Sequence, residues 1–205
     1  MPDASNEGDG YRGPAFFSSG FRPFFLSAAL FAGVAVPAWI LMLGGVGGVT
    51  VLYPARVWHV HEMVFGFLPA VIMGFMLTAI PNWTDRPPIR GLELAGLWSL
   101  WLAGRFAIAV PVLNPSTTAV VDGAFLVAAA GLVWREIAAA NSWTHAPMGV
   151  LISLYAVANI LFHVLTLGEQ GADLPPRMAL GVILVLLTVI GGRIIPNFTE
   201  EFFEV

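Results

Sequence analysis

The chain has 205 residues, of which 58% are hydrophobic and 11% charged, with a formal net charge of −4 and a mean hydropathy of +0.81. A soluble domain carries about 25% charged residues, so the composition indicates an integral membrane protein. With no basic run the chain offers nucleic acid nothing to bind. With no cysteine it excludes disulfides, thiolate-held zinc, iron–sulfur clusters and thiol nucleophiles, which leaves His, Met, Asp, Glu and backbone for metal work.

Residues 1–20 are polar, with acidic Asp3, Glu7 and Asp9. They lack the basic and then apolar pattern of a signal peptide and are expected to form a short disordered lead. Six apolar segments follow, at about 24–43, 57–84, 92–113, 117–138, 147–167 and 177–196. A helix rises 1.5 Å per residue and the hydrocarbon core is roughly 30 Å thick, so segments of this length span it. Short connections favour antiparallel neighbours. The expected fold is all-α, a polytopic membrane helix bundle of six spans over 21–199, closed by an acidic tail at 200–205.

All nine positive charges are arginines. Arg12, Arg22, Arg86, Arg90 and Arg135 fall on one side of the spans and only Arg56 and Arg177 on the other. The positive-inside rule then puts both termini in the cytoplasm. One internal echo stands out. Ile80-Pro81-Asn82-Trp83-Thr84 ends the second span and Ile195-Pro196-Asn197-Phe198-Thr199 the sixth, either as an old repeat or as a recurring way to end a helix.

The second span is the most informative. It opens on Trp58-His59-Val60-His61-Glu62-Met63, at the expected outer face, and His163 near the end of the fifth span lies at similar depth. Residues three or four apart share a helix face. His59, Glu62, Met63 and Gly66 therefore make one stripe of nitrogen, oxygen and sulfur donors, with Gly66 leaving room for something flat such as a porphyrin edge. His61, Phe65 and Leu68 make another, pointing to a second site or a neighbouring helix. If the chain is extended there, both imidazoles share one side. The bland alternative is that these are amphipathic side chains at headgroup level.

Charges inside a span are costly and are paired or functional. Arg105 in the third span and Asp122 in the fourth lie at nearly matched depth and are expected either to pair or to leave Arg105 holding an anion such as a haem propionate. Arg193, after Gly191-Gly192, either snorkels, binds lipid phosphate or closes a cavity against Asn82. His145 belongs to a loop and is expected to be solvated.

Several stretches together resemble the NnrS family. They are Phe21-Arg22-Pro23-Phe24-Phe25, the histidine stretch with Phe65-Gly66-Phe67, Thr78-Ala79-Ile80-Pro81-Asn82-Trp83-Thr84, Leu102-Ala103-Gly104-Arg105 and Gly191-Gly192-Arg193-Ile194-Ile195-Pro196. The resemblance covers most of the chain. It implies a multi-pass protein of the bacterial inner (cytoplasmic) membrane that carries haem and copper and acts in the response to nitric oxide and nitrosative stress. Family members are similar in having twice as many spans, so half the expected helices invites a partner besides the lipid bilayer, either a second copy as a homodimer or a second half-chain.

The reading from the residues is that His59, His61 and His163 are metal ligands, with His59 and His163 the favoured cross-helix pair. Glu62, Met63 and Arg105 surround them, and Asn82 and Arg193 form a motif at the cytoplasmic end. A transport or permeation subunit, with His59, Glu62, Arg105 and Asp122 lining a polar path, is the alternative, and a purely structural membrane subunit a third. Whether the protein is an enzyme is left open, since no nucleophile motif or nucleotide loop is present.

Overall fold

The computed structural model describes residues 11–45, 52–168 and 173–203, the last helix by its backbone alone over 193–198 and 200–203. Seven α-helices make six spans: α1 (Phe21–Leu43), α2 (Ala55–His61), α3 (Leu68–Thr84), α4 (Leu92–Ala109), α5 (Pro115–Ala139), α6 (Ala146–Leu167) and α7 (Leu174–Phe203). Among the described residues there is no strand. Six helices, with α2 and α3 counted as one run from Ala55 to Thr84, are long and apolar enough to cross a membrane. The protein is a multi-pass, all-α membrane bundle.

The second span is continuous because α2 passes into α3 through a π-helical turn, Glu62–Phe67. Proline chemistry accounts for the turn. Pro69 lies in the first turn of α3, has no N–H, and its ring crowds the carbonyl four residues back. The backbone widens, and the N–H of Leu68 bonds to the Met63 carbonyl five residues behind. The Val64 carbonyl is next in that register, and Pro69 cannot donate to it. The Tyr155 hydroxyl donates to it instead, and Trp101 Nε1 donates to the Gly66 carbonyl at 2.9 Å. Buried carbonyls in the hydrocarbon layer need such partners. Here α4 and α6 provide them from their side chains.

α4, α5, α6 and α7 pack on one another in succession, while α1 lies against α2 and α3. The π turn touches α1, α4 and α7, and α3 touches α5, so the second span is the hub. Its inner face meets a core that includes Phe24, Phe65, Met73, Phe125, Tyr155 and Phe162. The outward faces of α1, α5, α6 and α7 are lined with exposed Leu30, Val34, Val120, Val127, Val157, Ile160, Leu184 and Leu187, as lipid contact requires.

Several expectations change. Residues 11–20 are not a disordered lead. Ala15–Phe17 form a short 3-10 helix, Phe16 and Phe17 pack edge-on against Trp98, and the Phe17 carbonyl accepts the Gly91 N–H at 2.8 Å. The two phenylalanines supply the burial that a polar reading of this stretch overlooked. α4 stops at Ala109 rather than Leu113, and Asn114 caps α5 by accepting the Thr117 N–H at 2.9 Å. Pro196 does not end the last helix, which continues to Phe203. Its counterpart Pro81 lies inside α3, which ends at Thr84 where Asp85 turns left-handed.

α5 and α6 approach closely at Gly149, where a Cβ would meet Trp134 ring atoms at 2.7 Å. Gly149→Val is expected to overpack this contact and to lower stability by about 1–3 kcal/mol, read as a lower midpoint of unfolding in detergent.

Candidate metal centre

Five buried ionisable residues from four spans converge on one cluster at the end of the bundle where α2 begins. The last turn of α2 and the first residue of the π turn contribute His61 and Glu62, α4 contributes Arg105, α5 Asp122 and α6 His163. Exposure of these five runs from 0% for His61 to 7% for Arg105. Arg105 is the centrepiece. Its Nη1 donates to Glu62 Oε2 at 2.5 Å and its Nη2 to Asp122 Oδ1. The second oxygen of each carboxylate faces a histidine: Glu62 Oε1 lies 3.2 Å from His61 Nδ1, and Asp122 Oδ2 lies 2.9 Å from His163 Nε2 and 3.2 Å from His61 Nε2. Glu62, Arg105, Asp122 and His61 thus close a ring, with His163 attached to it at Asp122.

Two glycines permit this. A Cβ on Gly66 would fall 2.1 Å from Arg105 Nη1, and one on Gly104 3.0 Å from Asp122 Oδ1. The room at Gly66, expected for a flat cofactor edge, is filled by the guanidinium.

Tyr53, just before α2, completes the set from above. Its hydroxyl is 2.8 Å from His163 Nδ1. Burial first, and then the charges of Asp122 and Glu62, push its phenol above the ordinary tyrosine range. It therefore keeps its proton. A hydroxyl both donates and accepts, so Tyr53 holds His163 in place whichever ring nitrogen carries the proton.

The donor set has the chemistry of a metal site. His61, Asp122 and His163 each offer one ligand atom, all within 4.8 Å of one another. Bonds of about 2.0–2.2 Å to nitrogen and oxygen place ligand atoms roughly 3–3.5 Å apart around one ion. Both separations from Asp122 Oδ2 are of that order. His61 Nε2 is buried and has no hydrogen-bond partner, a state that costs free energy unless something occupies it. The charges point the same way. Two carboxylates face one guanidinium, so with neutral imidazoles one negative charge is left over. A buried charge must be matched, here by a proton on an imidazole or by a cation.

His59 is not part of this cluster. It stacks on Trp39, ring centroids 3.8 Å apart and planes 10° apart. Met63 is a half-buried apolar residue packed on the core rather than a member of the ligand group. The structure thus inverts the two stripes expected for this helix: His61 goes inward to His163 and His59 sits against α1. Glu62 goes inward with His61 because the buried face runs through Trp58, His61, Glu62 and Phe65. A second imidazole is therefore near His163, at 5.2 Å between ring centroids, but it is His61 and not His59. Asn82 is exposed, and the Arg193 side chain lies outside the described residues. His145 stacks on Trp83 with centroids 5.3 Å apart rather than standing free in solvent.

One residue of the cluster, Tyr53, escapes sequence reasoning. Tyr53 lies outside the spans, and its only signal was a tyrosine close in sequence to the histidine pair. Asp122, expected to pair with Arg105 or to line a polar path, also faces both histidines through its second oxygen.

Among known families, residues 15–205 match the profile described as NnrS protein. No curated protein and no solved structure gives a match.

Arg105→Leu leaves Glu62 and Asp122 facing each other without a cation and is expected to cost about 3–5 kcal/mol. Adding Glu62→Gln to that variant should recover part of the loss, as judged by unfolding of the single and double variants side by side.

Proposed function

Because the chain belongs to the NnrS family, whose members take part in the response to nitric oxide, we propose that it holds a copper ion between His61, Asp122 and His163. The observation that carries this reading is the buried, unpartnered His61 Nε2 facing Asp122 Oδ2 and beside His163. Imidazole nitrogen accepts copper as it does zinc, nickel and iron. Two histidines with one carboxylate is also the donor set of non-haem iron, so the choice of copper rests on the family and not on the donor atoms. An ion there supplies a redox-active centre that a small ligand such as nitric oxide can bind.

The chain's own residues prepare that centre. Arg105 fixes both carboxylates, so Asp122 presents one oxygen to the ion while Glu62 orients His61 through Nδ1. Tyr53 orients His163 from its outer nitrogen. The core residues Phe65 and Phe162 pack on the His61 ring, at 5.5 and 4.8 Å between centroids, and keep water from it.

Haem, the other group that the family resemblance implies, does not fit between these histidines. The Asp122 carboxylate stands within 3.2 Å of both Nε2 atoms, where a macrocycle would have to pass, and the guanidinium fills the space at Gly66. A permeation path is disfavoured on other grounds: the polar groups turn onto one another instead of lining a passage.

The family resemblance implies a bacterial inner membrane protein, and the arginine distribution favours an N-terminus in the cytoplasm, which puts the metal centre on the outer side. The chain lacks cysteine, so single-cysteine labelling reads this directly. A membrane-impermeant maleimide should label Val112→Cys in intact cells and Thr144→Cys only after permeabilisation.

For the metal, His61→Ala and His163→Ala should each abolish stoichiometric copper binding in equilibrium dialysis, while His59→Ala leaves it intact. Tyr53→Phe should weaken it by about 10–100-fold. Copper lost in His59→Ala and retained in His61→Ala would move the ion to the other stripe of α2.

A further inference from the structure

We infer that the groove between α1 and α4 is a binding site for an uncharged, planar, lipid-soluble carbonyl compound of the quinone class. The groove has a volume of ≈ 410 Å³ and is open at the bundle surface. Its rim is the exposed Leu30 and Val34 of α1 and Phe106 of α4, all on the lipid-facing surface. Any occupant therefore arrives from the bilayer.

The walls suit a flat ring. Phe31 meets Trp101 edge-on, 5.9 Å between centroids and 84° between planes, and Trp98 and Phe106 add two more aromatic surfaces. Aromatic faces and edges of this kind hold a planar conjugated ring better than a flexible chain. Both indole N–H groups are already used, Trp98 on Ser27 Oγ at 2.8 Å and Trp101 on the Gly66 carbonyl. Polar recognition inside the groove thus falls to Arg105 and to the Ser27 hydroxyl, both of which line it. The hydroxyl keeps its own O–H after accepting from Trp98.

Arg105 decides the charge and polarity of the occupant. Both its Nη atoms are spent on Glu62 and Asp122, whereas its buried Nε has no partner. The guanidinium carbon sits 5.8 Å from the Phe31 ring centroid, so the unpartnered donor is next to the aromatic wall. An anionic headgroup would meet the two carboxylates just behind the guanidinium and be repelled. A hydrocarbon chain would leave the Nε–H without an acceptor. A neutral carbonyl oxygen on a flat ring supplies the acceptor and fills the aromatic slot. This site shares Arg105 with the metal centre yet does not need the ion, so it stands or falls separately from the copper reading.

The test uses the full chain in lipid nanodiscs without added metal. A decyl-substituted benzoquinone is titrated against tryptophan fluorescence, and its azido derivative is photo-crosslinked and mapped by mass spectrometry. Saturable quenching is expected, with cross-links confined to peptides of α1 and α4. The double variant Leu30→Phe/Val34→Phe adds bulk at two exposed rim positions without touching the buried cluster. It should weaken binding at least tenfold and remove those cross-links while the melting temperature is unchanged. A decyl-cyclohexane competitor, which lacks the carbonyls, should not displace the quinone. Cross-links spread evenly over the lipid-facing helices, binding unchanged in the double variant, or equal competition by decyl-cyclohexane would each overturn the assignment, the last by showing a groove for acyl chains only.

Discussion

The structure depends on a single arginine buried among carboxylates within the thickness of the membrane. Arg105 bonds Glu62 from the second span and Asp122 from the fourth. Neither carboxylate tolerates that depth alone, and neither does the guanidinium, because charge in a medium of low dielectric must be matched nearby. Three spans are tied by one side chain, and the two remaining carboxylate oxygens are pointed at His61 and His163. The ion pairs set the relative register of α2, α4 and α5, and the histidines inherit their positions from it. A comparable tie works at the far end of the bundle, where buried Glu136 accepts from Arg86 at 2.6 Å and from Arg135. That set sits closer to the helix ends, with its arginines 38% and 50% exposed, so it acts as a clamp at the interface rather than a centre.

The π turn is the second condition. Without Pro69 the second span would continue as a regular helix, and the Val64 carbonyl would take a backbone donor. The extra residue in the turn widens the helix at Glu62–Phe67, next to the level where Arg105 approaches Gly66. Tyr155 and Trp101 then satisfy the exposed carbonyls from two neighbouring spans. The same short stretch of backbone therefore makes room for a guanidinium and anchors α4 and α6 to the hub. Gly66 has one function in this account, which is to lack a side chain where Arg105 Nη1 passes.

Much of this was legible in the sequence, and the limits have physical causes. Segment length and hydropathy are enough for six spans, because the bilayer imposes one length on every helix. The matched depths of Arg105 and Asp122, and of His163 and the histidine pair, follow from counting residues inward from helix ends, which is why residues on separate spans could be grouped. Depth fixes one coordinate of a side chain, and rotation about the helix axis is the other. For α2 the two stripes, one through His59, Glu62 and Met63 and one through His61, Phe65 and Leu68, are equally plausible on spacing alone. The choice is made by packing: Glu62 meets Arg105 of α4, His61 meets Asp122 of α5 and Phe162 of α6, and Phe65 meets Tyr155 of α6, while His59 meets Trp39 of α1. No periodicity encodes that. The folded stretch at Ala15–Phe17 was hidden for a different reason, because two phenylalanines in a polar context carry its packing and composition averages them away.

The arrangement also bears on which group such a centre accepts. A porphyrin between two imidazoles needs both histidines to approach from opposite sides of an empty slot, with nothing polar between them. In this chain an aspartate stands between them, held by an arginine that is in turn held by a glutamate. Such a rigid set of small donors suits something the size of an ion, and its leftover negative charge suits a cation. The charge balance alone does not distinguish a metal ion from a proton on an imidazole, since either neutralises the cluster. Either would sit between His61 Nε2 and Asp122 Oδ2. A carboxylate oxygen has two lone pairs, so Asp122 Oδ2 faces both imidazoles at once, His163 Nε2 at 2.9 Å and His61 Nε2 at the longer 3.2 Å. An ion there would take one atom each from α2, α5 and α6; Arg105 holds α2 and α5 in register, and His163 of α6 joins the set through Asp122 Oδ2.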